Sequence, residues 1–504
     1  MKMQEIAIKN KEKGKDFLCI GILWLAATLF LLTNSFPTSP AFGSAYSGDA
    51  AMFLTIGKYW AEGTLPYIGL WDSKGPIIFG INALGYLMTG SKTGVFLIQV
   101  LCLAIAMLFV YKLFRKTASA LVSLIGSGIT LWIMLTDYAG DGTEEFVLPL
   151  LCASFYLMYC WSLKATNGKE KRHAPRAAFL YGLTFSFCFL TRLTNAVGVC
   201  AGVLVITVFL IANKEFLNLA HNAAAFLLGV ATLLLPFVIY FQSKGILYDA
   251  FYGTFLYNLD YAGKSNMGLS TMSFGYMWRM FAGYSGAIFL AAVGAVEMLS
   301  AKEKRASGVL WLAIGIVTAI WLFHSYGFLH YGLIAVPCFP IAFMEIWNLD
   351  TNKRKAAIGL RLAAFGFVLL GVLGSVKTFR EQRWEYSVIL SGVQDTNQQT
   401  DERMLNQIPE EEKDSFVAYN TGSDLYLRAD IKPCYRFFTM QDWAASQSES
   451  LTEMLVDTFE HGTARWILVR GDPEATLISD ALKTRYEPVQ TEEDYMLYRL
   501  NEEQ

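Results

Sequence analysis

The sequence predicts a polytopic α-helical membrane protein carrying a C-terminal extracytoplasmic α/β domain. Three observations lead there. Of the 504 residues, 54% are hydrophobic and only 17% charged, which excludes a disordered chain and most soluble enzymes. Several apolar runs approach the ~20 residues needed to cross about 30 Å of hydrocarbon. Charge is also unevenly spread: the whole chain carries 41 basic and 43 acidic side chains, yet from residue 379 onward there are 12 basic against 25 acidic. The balanced total hides a basic membrane part, 1–378, and an acidic tail, 379–504.

Taken in order, the apolar runs predict about eleven spans, at 17–34, 93–111, 119–136, 145–163, 177–191, 195–212, 221–241, 281–299, 308–323, 329–347 and 357–376. The first follows a basic stretch (Lys9, Lys11, Lys13, Lys15) without a convincing small-residue cleavage site, and reads as a retained anchor. The apolar segment 76–90 is short for a crossing and is expected to lie at the interface or to dip in and return. Loop charge supports that choice, because Lys and Arg gather in short cytoplasmic loops. If 76–90 does not span, the N-terminus and the basic loops at 112–116, 164–176, Lys214, 302–305 and 353–361 all fall on one side. The N-terminus is then cytoplasmic. The outer segments are 35–92, 137–144, the corner at Arg192 to Asn195, 242–280, 324–328 and the tail.

Seven of the eight cysteines lie in apolar runs, with no disulfide framework and no zinc-ligand spacing. No internal repeat suggests an inverted-repeat transporter. In the tail, Phe416 to Tyr419, Trp466 to Arg470 and Tyr495 to Arg499 read as strands, and Ser448 to Phe459 and Thr476 to Thr484 as helices. With no phosphate loop and no nucleophile elbow, the tail reads as a supporting or acceptor-binding domain.

The unusual chemistry is concentrated in the first outer loop. Tyr46-Ser47-Gly48-Asp49 is followed by Tyr59-Trp60-Ala61-Glu62-Gly63-Thr64-Leu65-Pro66-Tyr67 and then by Trp71-Asp72-Ser73-Lys74-Gly75-Pro76. Asp49 precedes a short amphipathic helix expected at Ala51 to Trp60. Its carboxylate could face a cavity at the lipid surface, or the loop could be an ordinary hydrated aromatic belt.

The combined pattern, Gly-Asp, Trp-x-x-Gly-x-x-Pro-Tyr and Trp-Asp-x-Lys-Gly-Pro, resembles the first outer loop of the GT-C glycosyltransferases. The similarity is greatest to the branch containing the protein O-mannosyltransferases and the lipid A aminoarabinose transferases. The order of elements is similar along essentially the whole chain. The resemblance implies transfer of a sugar from a polyprenyl-phosphate donor to an acceptor hydroxyl on the outer face. It implies that Asp49 is the acidic residue after the first span, acting as base in an inverting displacement, and that Asp72 and Lys74 belong to the donor-binding run. Ala50 stands where many members have a second acid, and Gly75 where they have a proline.

Further residues suit the same chemistry. Arg192, between two apolar runs, could hold the departing phosphate or snorkel to the headgroups. Asp141, Glu144 and Glu145 could orient an acceptor, bind a divalent cation or cap the next helix, with capping slightly favoured. His330 and Tyr331, after Tyr326-Gly327-Phe328, could bond a phosphate or a sugar hydroxyl, or be satisfied interfacial groups. The Tyr-rich loop at 242–279, with Asp249, Asp260 and Lys264, suits sugar stacking and an interface equally.

Two other functions compete: a transporter or flippase of lipid-linked saccharides, and a non-catalytic assembly protein that recruits through its tail. The chemistry gathered in one loop favours the transferase. The expected partners are a polyprenyl-phosphate sugar, membrane lipid and an acceptor. No cofactor is assigned beyond a divalent cation that the acidic cluster could bind, and the acidic tail argues against nucleic acid. A bacterial plasma membrane is the expected location.

Overall fold

A computed structural model of the chain describes residues 2–43, 46, 48–136, 138, 140–166, 170–264, 274–300, 304–324, 328–348, 354–390 and 396–501. Ser47, Tyr326 and Gly327 of the motifs above, residues 167–169, 302–303 and 353 of the expected basic loops, and 137, 139 and 265–273 of the expected outer segments lie outside the described residues.

Helices follow one another for most of the chain: α1 (Lys2–Asn34), α2 (Gly48–Ala61), α3 (Pro76–Thr89), α4 (Lys92–Phe114) and α5 (Ala120–Ile133). Next come α6 (Thr143–Thr166), α7 (Pro175–Phe189), α8 (Val197–Ala212), α9 (Phe216–Ser243), α10 (Leu247–Phe251) and α11 (Tyr257–Lys264). The apolar series closes with α12 (Phe274–Ser300), α13 (Arg305–His324), α14 (Cys338–Trp347) and α15 (Arg354–Leu390).

Among the described residues, seven helices are long and apolar enough to cross a bilayer, or eight if the bent pair Leu329–Ala335 and Cys338–Trp347 is one span. Of the other expected spans, 119–136 and 177–191 correspond to the short helices α5 and α7, and 281–299 to the apolar stretch Tyr284–Leu299 within α12. α5 has 14 residues and α7 has 15, so at 1.5 Å per residue each reaches only about 21–23 Å. α3, in the segment expected not to cross, is likewise a 14-residue apolar helix.

The chain divides into two compact units. The first comprises 1–35, 98–237 and 266–383. Its helices approach one another at glycines. A Cβ on Gly294 would lie 2.3 Å from the Leu312 nitrogen and one on Gly315 2.4 Å from that of Ala291, so α12 and α13 pack backbone to backbone. Gly182 against Phe226 and Gly229 against Phe179 join α7 to α9 in the same way. Leu217, Leu227, Leu228, Leu235 and Ile239 of α9 are exposed, as are Phe17, Leu18, Trp24 and Leu25 of α1. Such faces suit hydrocarbon, where backbone groups are already satisfied within the helix.

The second unit comprises 36–97, 238–265 and 384–504. It therefore includes the first outer loop together with the tail. α2 and α3 cross at Gly57, where a Cβ would be 2.3 Å from that of Asn82, and Phe53 packs against Phe79. The tail adds α16 (Thr396–Leu405), β1 (Phe416–Tyr419), α17 (Asp424–Ala429), α18 (Gln441–Ser446), α19 (Glu449–His461), β2 (Trp466–Arg470), α20 (Ser479–Arg485), β3 (Tyr486–Glu492) and β4 (Tyr495–Leu500).

The sheet order is β1-β2-β4-β3. β1 and β2 run parallel with Phe416 opposite Trp466, as their connection through helices requires. β4 is antiparallel to both its neighbours, Leu468 facing Leu497 and Tyr486 facing Leu500. The three expected strands and the helix at α19 are present. The helix expected at Thr476 to Thr484 starts later, at Ser479, after the single turn Pro473–Ala475. β3 was not expected. It has mostly exposed polar residues, contains Pro488, and shifts register between Pro488 and Gln490.

Candidate functional site

In the second unit, Gly48 opens α2 with φ +51°, a conformation that glycine reaches without strain. Asp49 follows in the first turn, exposed, where a carboxylate meets the positive end of the helix. The Asp72-Ser73-Lys74 run is held from several sides. Tyr67 is fully buried at φ +71°; its N–H donates to the Leu70 carbonyl at 2.7 Å and its hydroxyl to the Lys74 carbonyl at 2.9 Å. The same hydroxyl lies 3.1 Å from Thr254 Oγ1. Asn258 Nδ2 donates to the Ser73 carbonyl at 2.6 Å. The Trp71 N–H donates to the Arg436 carbonyl at 2.9 Å, and its ring meets Tyr257 edge-on at 5.0 Å. A side chain at Gly253 would collide with the Tyr67 ring at 2.8 Å, so the approach of this segment depends on glycine there. The result is a loop whose backbone is held from three sides.

Asp72 is 6% exposed, and its Oδ2 has no hydrogen-bond partner among the described residues. Burial pushes its carboxyl above the usual range; the Lys74 charge opposes this and the Asp49 charge adds to it. The three residues of the loop motif therefore share one electrostatic neighbourhood. No second acid adjoins Asp49 in sequence, since Ala50 stands there, but Asp72 brings a second carboxylate near it. Among the described residues, no group of three or more His, Cys, Asp or Glu is placed to hold a metal ion.

The remaining candidates belong to the first unit. Asp141 is buried at φ +59°, just before α6. Glu144 and Glu145 begin that helix, only 2% and 4% exposed. Arg192 Nη1 donates to Glu144 Oε1 at 3.1 Å, and Thr143 Oγ1 donates to Glu144 Oε2 at 3.0 Å. Arg192 also stacks over Tyr331, 3.5 Å from its centroid, and the His330 and Tyr331 rings meet at 4.5 Å. Glu145 accepts from the Gly140 N–H at 2.8 Å and from Gln99 Nε2 at 2.9 Å. Asp141, Glu144, Glu145, Arg192, His330 and Tyr331 thus come from three separate segments of one unit. Arg192 is paired with a carboxylate rather than snorkelling alone, and Glu145 is a hydrogen-bonded anchor for the turn at Gly140.

Sequence reasoning missed Gln99 and Lys92, and it assigned no role to Tyr67 although that residue closes one of the loop motifs. Gln99 carries a weak signal, a lone amide inside an apolar run. Lys92 carries no signal in the sequence, yet it is 7% exposed.

A protein-family model, the competence-induced protein Ccs4 N-terminal domain, matches residues 11–359. The chain belongs to that family. A comparison with curated protein sequences finds no match. Among solved structures, this Ccs4-family chain is similar to ArnT from Cupriavidus metallidurans bound to undecaprenyl phosphate. The TM-score is 0.57 at 10% identity, covering 95% of this chain and 97% of that one. The apo state of the same ArnT gives a TM-score of 0.54 at 10% identity over the same shares. The Ccs4-family chain therefore has an ArnT-like fold.

Proposed function

We propose that the chain is an integral-membrane glycosyltransferase that moves a sugar from a polyprenyl-phosphate donor to an acceptor hydroxyl. The observation that carries this reading is local: an exposed carboxylate, Asp49, in the field of a buried one, Asp72, beside the cation of Lys74. ArnT, whose fold is similar, was solved bound to undecaprenyl phosphate. In the proposed step, the acceptor oxygen attacks the anomeric carbon and its proton passes to Asp49. The bond from that carbon to the phosphate oxygen breaks, and the electron pair leaves with the phosphate. A single displacement inverts the centre. A correctly placed general base contributes about 10²- to 10⁴-fold. Lys74 offsets the charge on the departing phosphate. In this reading the N-terminus is cytoplasmic and the first outer loop and tail are extracytoplasmic, in a bacterial plasma membrane.

The test is to incubate purified protein with a panel of polyprenyl-phosphate sugars and to follow donor consumption in wild type and Asp49→Asn. Donor binding that persists in Asp49→Asn while consumption falls by the factor above supports the proposal. A donor carried across vesicles unchanged by wild type would replace it with a flippase.

A further inference from the structure

Lys92 opens α4 with its ammonium buried, and its Nζ has no hydrogen-bond partner among the described residues. It lies over the ring of Tyr46, 4.7 Å from the centroid, three residues before Asp49. Its position is also the wrong end of a helix for a cation. α4 runs for 23 residues, and its N-terminus already concentrates positive potential. Burying an ammonium costs several kcal/mol unless an anion and hydrogen bonds meet it. A ring face offsets part of that cost, since it attracts the charge without accepting the three N–H bonds.

The geometry around Lys92 is built rather than incidental. Gly90, at φ +68°, ends α3, and its N–H donates to the Tyr86 carbonyl. Ser91 Oγ accepts from the Thr93 N–H at 3.3 Å. A Cβ on Gly94 would lie 1.9 Å from the Gly85 carbonyl oxygen, so α3 and α4 touch backbone to backbone two residues beyond the lysine. The turn that presents Lys92 therefore has little freedom. A buried cation, a helix N-terminus and an aromatic wall together make a receptor for a phosphate.

We infer that Lys92, walled by Tyr46 at the start of α4, binds the phosphate of the polyprenyl-phosphate donor as a cation additional to those of the loop motif. This inference rests on the proposed function and assigns a donor-binding residue that the loop motif does not contain. Binding gives an ammonium without a hydrogen-bond partner among the described residues a charge-assisted contact, so the residue serves the ligand at the expense of the empty protein.

Binding of undecaprenyl phosphate, of undecaprenol and of phosphatidylglycerol is measured on full-length protein in detergent, for wild type, Lys92→Met and Lys92→Arg, alongside the thermal midpoint of each without ligand. Wild type should prefer undecaprenyl phosphate to undecaprenol. Lys92→Met should bind the phosphate about tenfold or more weakly, with undecaprenol unchanged and the ligand-free midpoint equal or higher; Lys92→Arg should retain most of the phosphate affinity. The inference is overturned if Lys92→Met keeps the phosphate affinity, or if its ligand-free midpoint falls, which marks a structural lysine. Equal loss of phosphatidylglycerol would make Lys92 a headgroup anchor and overturn it too. Wild type that fails to prefer the phosphate over the alcohol would instead remove the proposed function.

Discussion

The guanidinium of Arg192 lies 3.5 Å from the centre of the Tyr331 ring. One face of the cation is covered by an aromatic, and one edge is committed to Glu144. An arginine buried this way is expensive to lose, because its partner stays behind.

Removing Arg192 should therefore destabilise the protein through Glu144. Arg192→Ala leaves a carboxylate that is 2% exposed without its cation, which costs about 3–5 kcal/mol. The double variant Arg192→Ala/Glu144→Gln should recover most of that loss, and Tyr331→Leu alone should cost only ~1–2 kcal/mol. Thermal unfolding in detergent of the three variants checks the order.

Tyr67→Phe should loosen the donor loop without unfolding the chain. It deletes the bond to the half-buried Lys74 carbonyl and the contact with Thr254 Oγ1, at a cost of about 1 kcal/mol. The thermal midpoint should fall modestly, and donor consumption should fall mainly through KM.

Helix contact in the first unit predicts a sharp contrast between glycines. Gly294→Ala places a methyl 2.3 Å from the Leu312 nitrogen and must push α12 off α13. Gly366→Ala meets nothing within 4 Å and should stabilise by up to about 1 kcal/mol through helix propensity. The fraction of monodisperse protein after extraction should fall for the first variant and hold for the second.

The tail should lose stability as pH rises through the weakly acidic range. Burial pushes the Asp401 carboxyl from 3.8 up to about 6, against the pull of Arg428. The native state then binds more protons than the unfolded chain between those values, so the slope of stability with pH is negative. The loss, complete above about pH 6, amounts to roughly 3 kcal/mol. Hydrogen exchange of β1 and β2 in the full chain, corrected for intrinsic pH dependence, should show the decline in wild type and not in Asp401→Asn.

Much of this architecture could be read in the sequence because hydrocarbon imposes a coarse rule. Long apolar runs became helices, and short apolar runs in the tail became β1, β2 and β4. Helix length was less legible: hydropathy located α5 and α7 but could not show that each stops at about four turns. β3 escaped because an exposed edge strand needs no apolar alternation, and Pro488 reads as a breaker. At the site, the loop motif named Asp49, Asp72 and Lys74, which are near in sequence. It could not pair Arg192 with Glu144 or Gln99 with Glu145, since those contacts join separate helices across more than forty residues. Nor does any local pattern distinguish a lysine that snorkels from one that is enclosed, and Lys92 was passed over for that reason.

The outer edge of the tail's sheet matters for crowding. A flat, unbroken margin there would offer its free amides and carbonyls to the same margin on a neighbouring copy, a real hazard where chains share a two-dimensional surface. Pro488 deletes one donor from that margin, and the slip in pairing beside it bends the rest out of register. Replacing the proline with valine would restore a template for sticking, so this unremarkable residue helps to keep neighbouring copies apart.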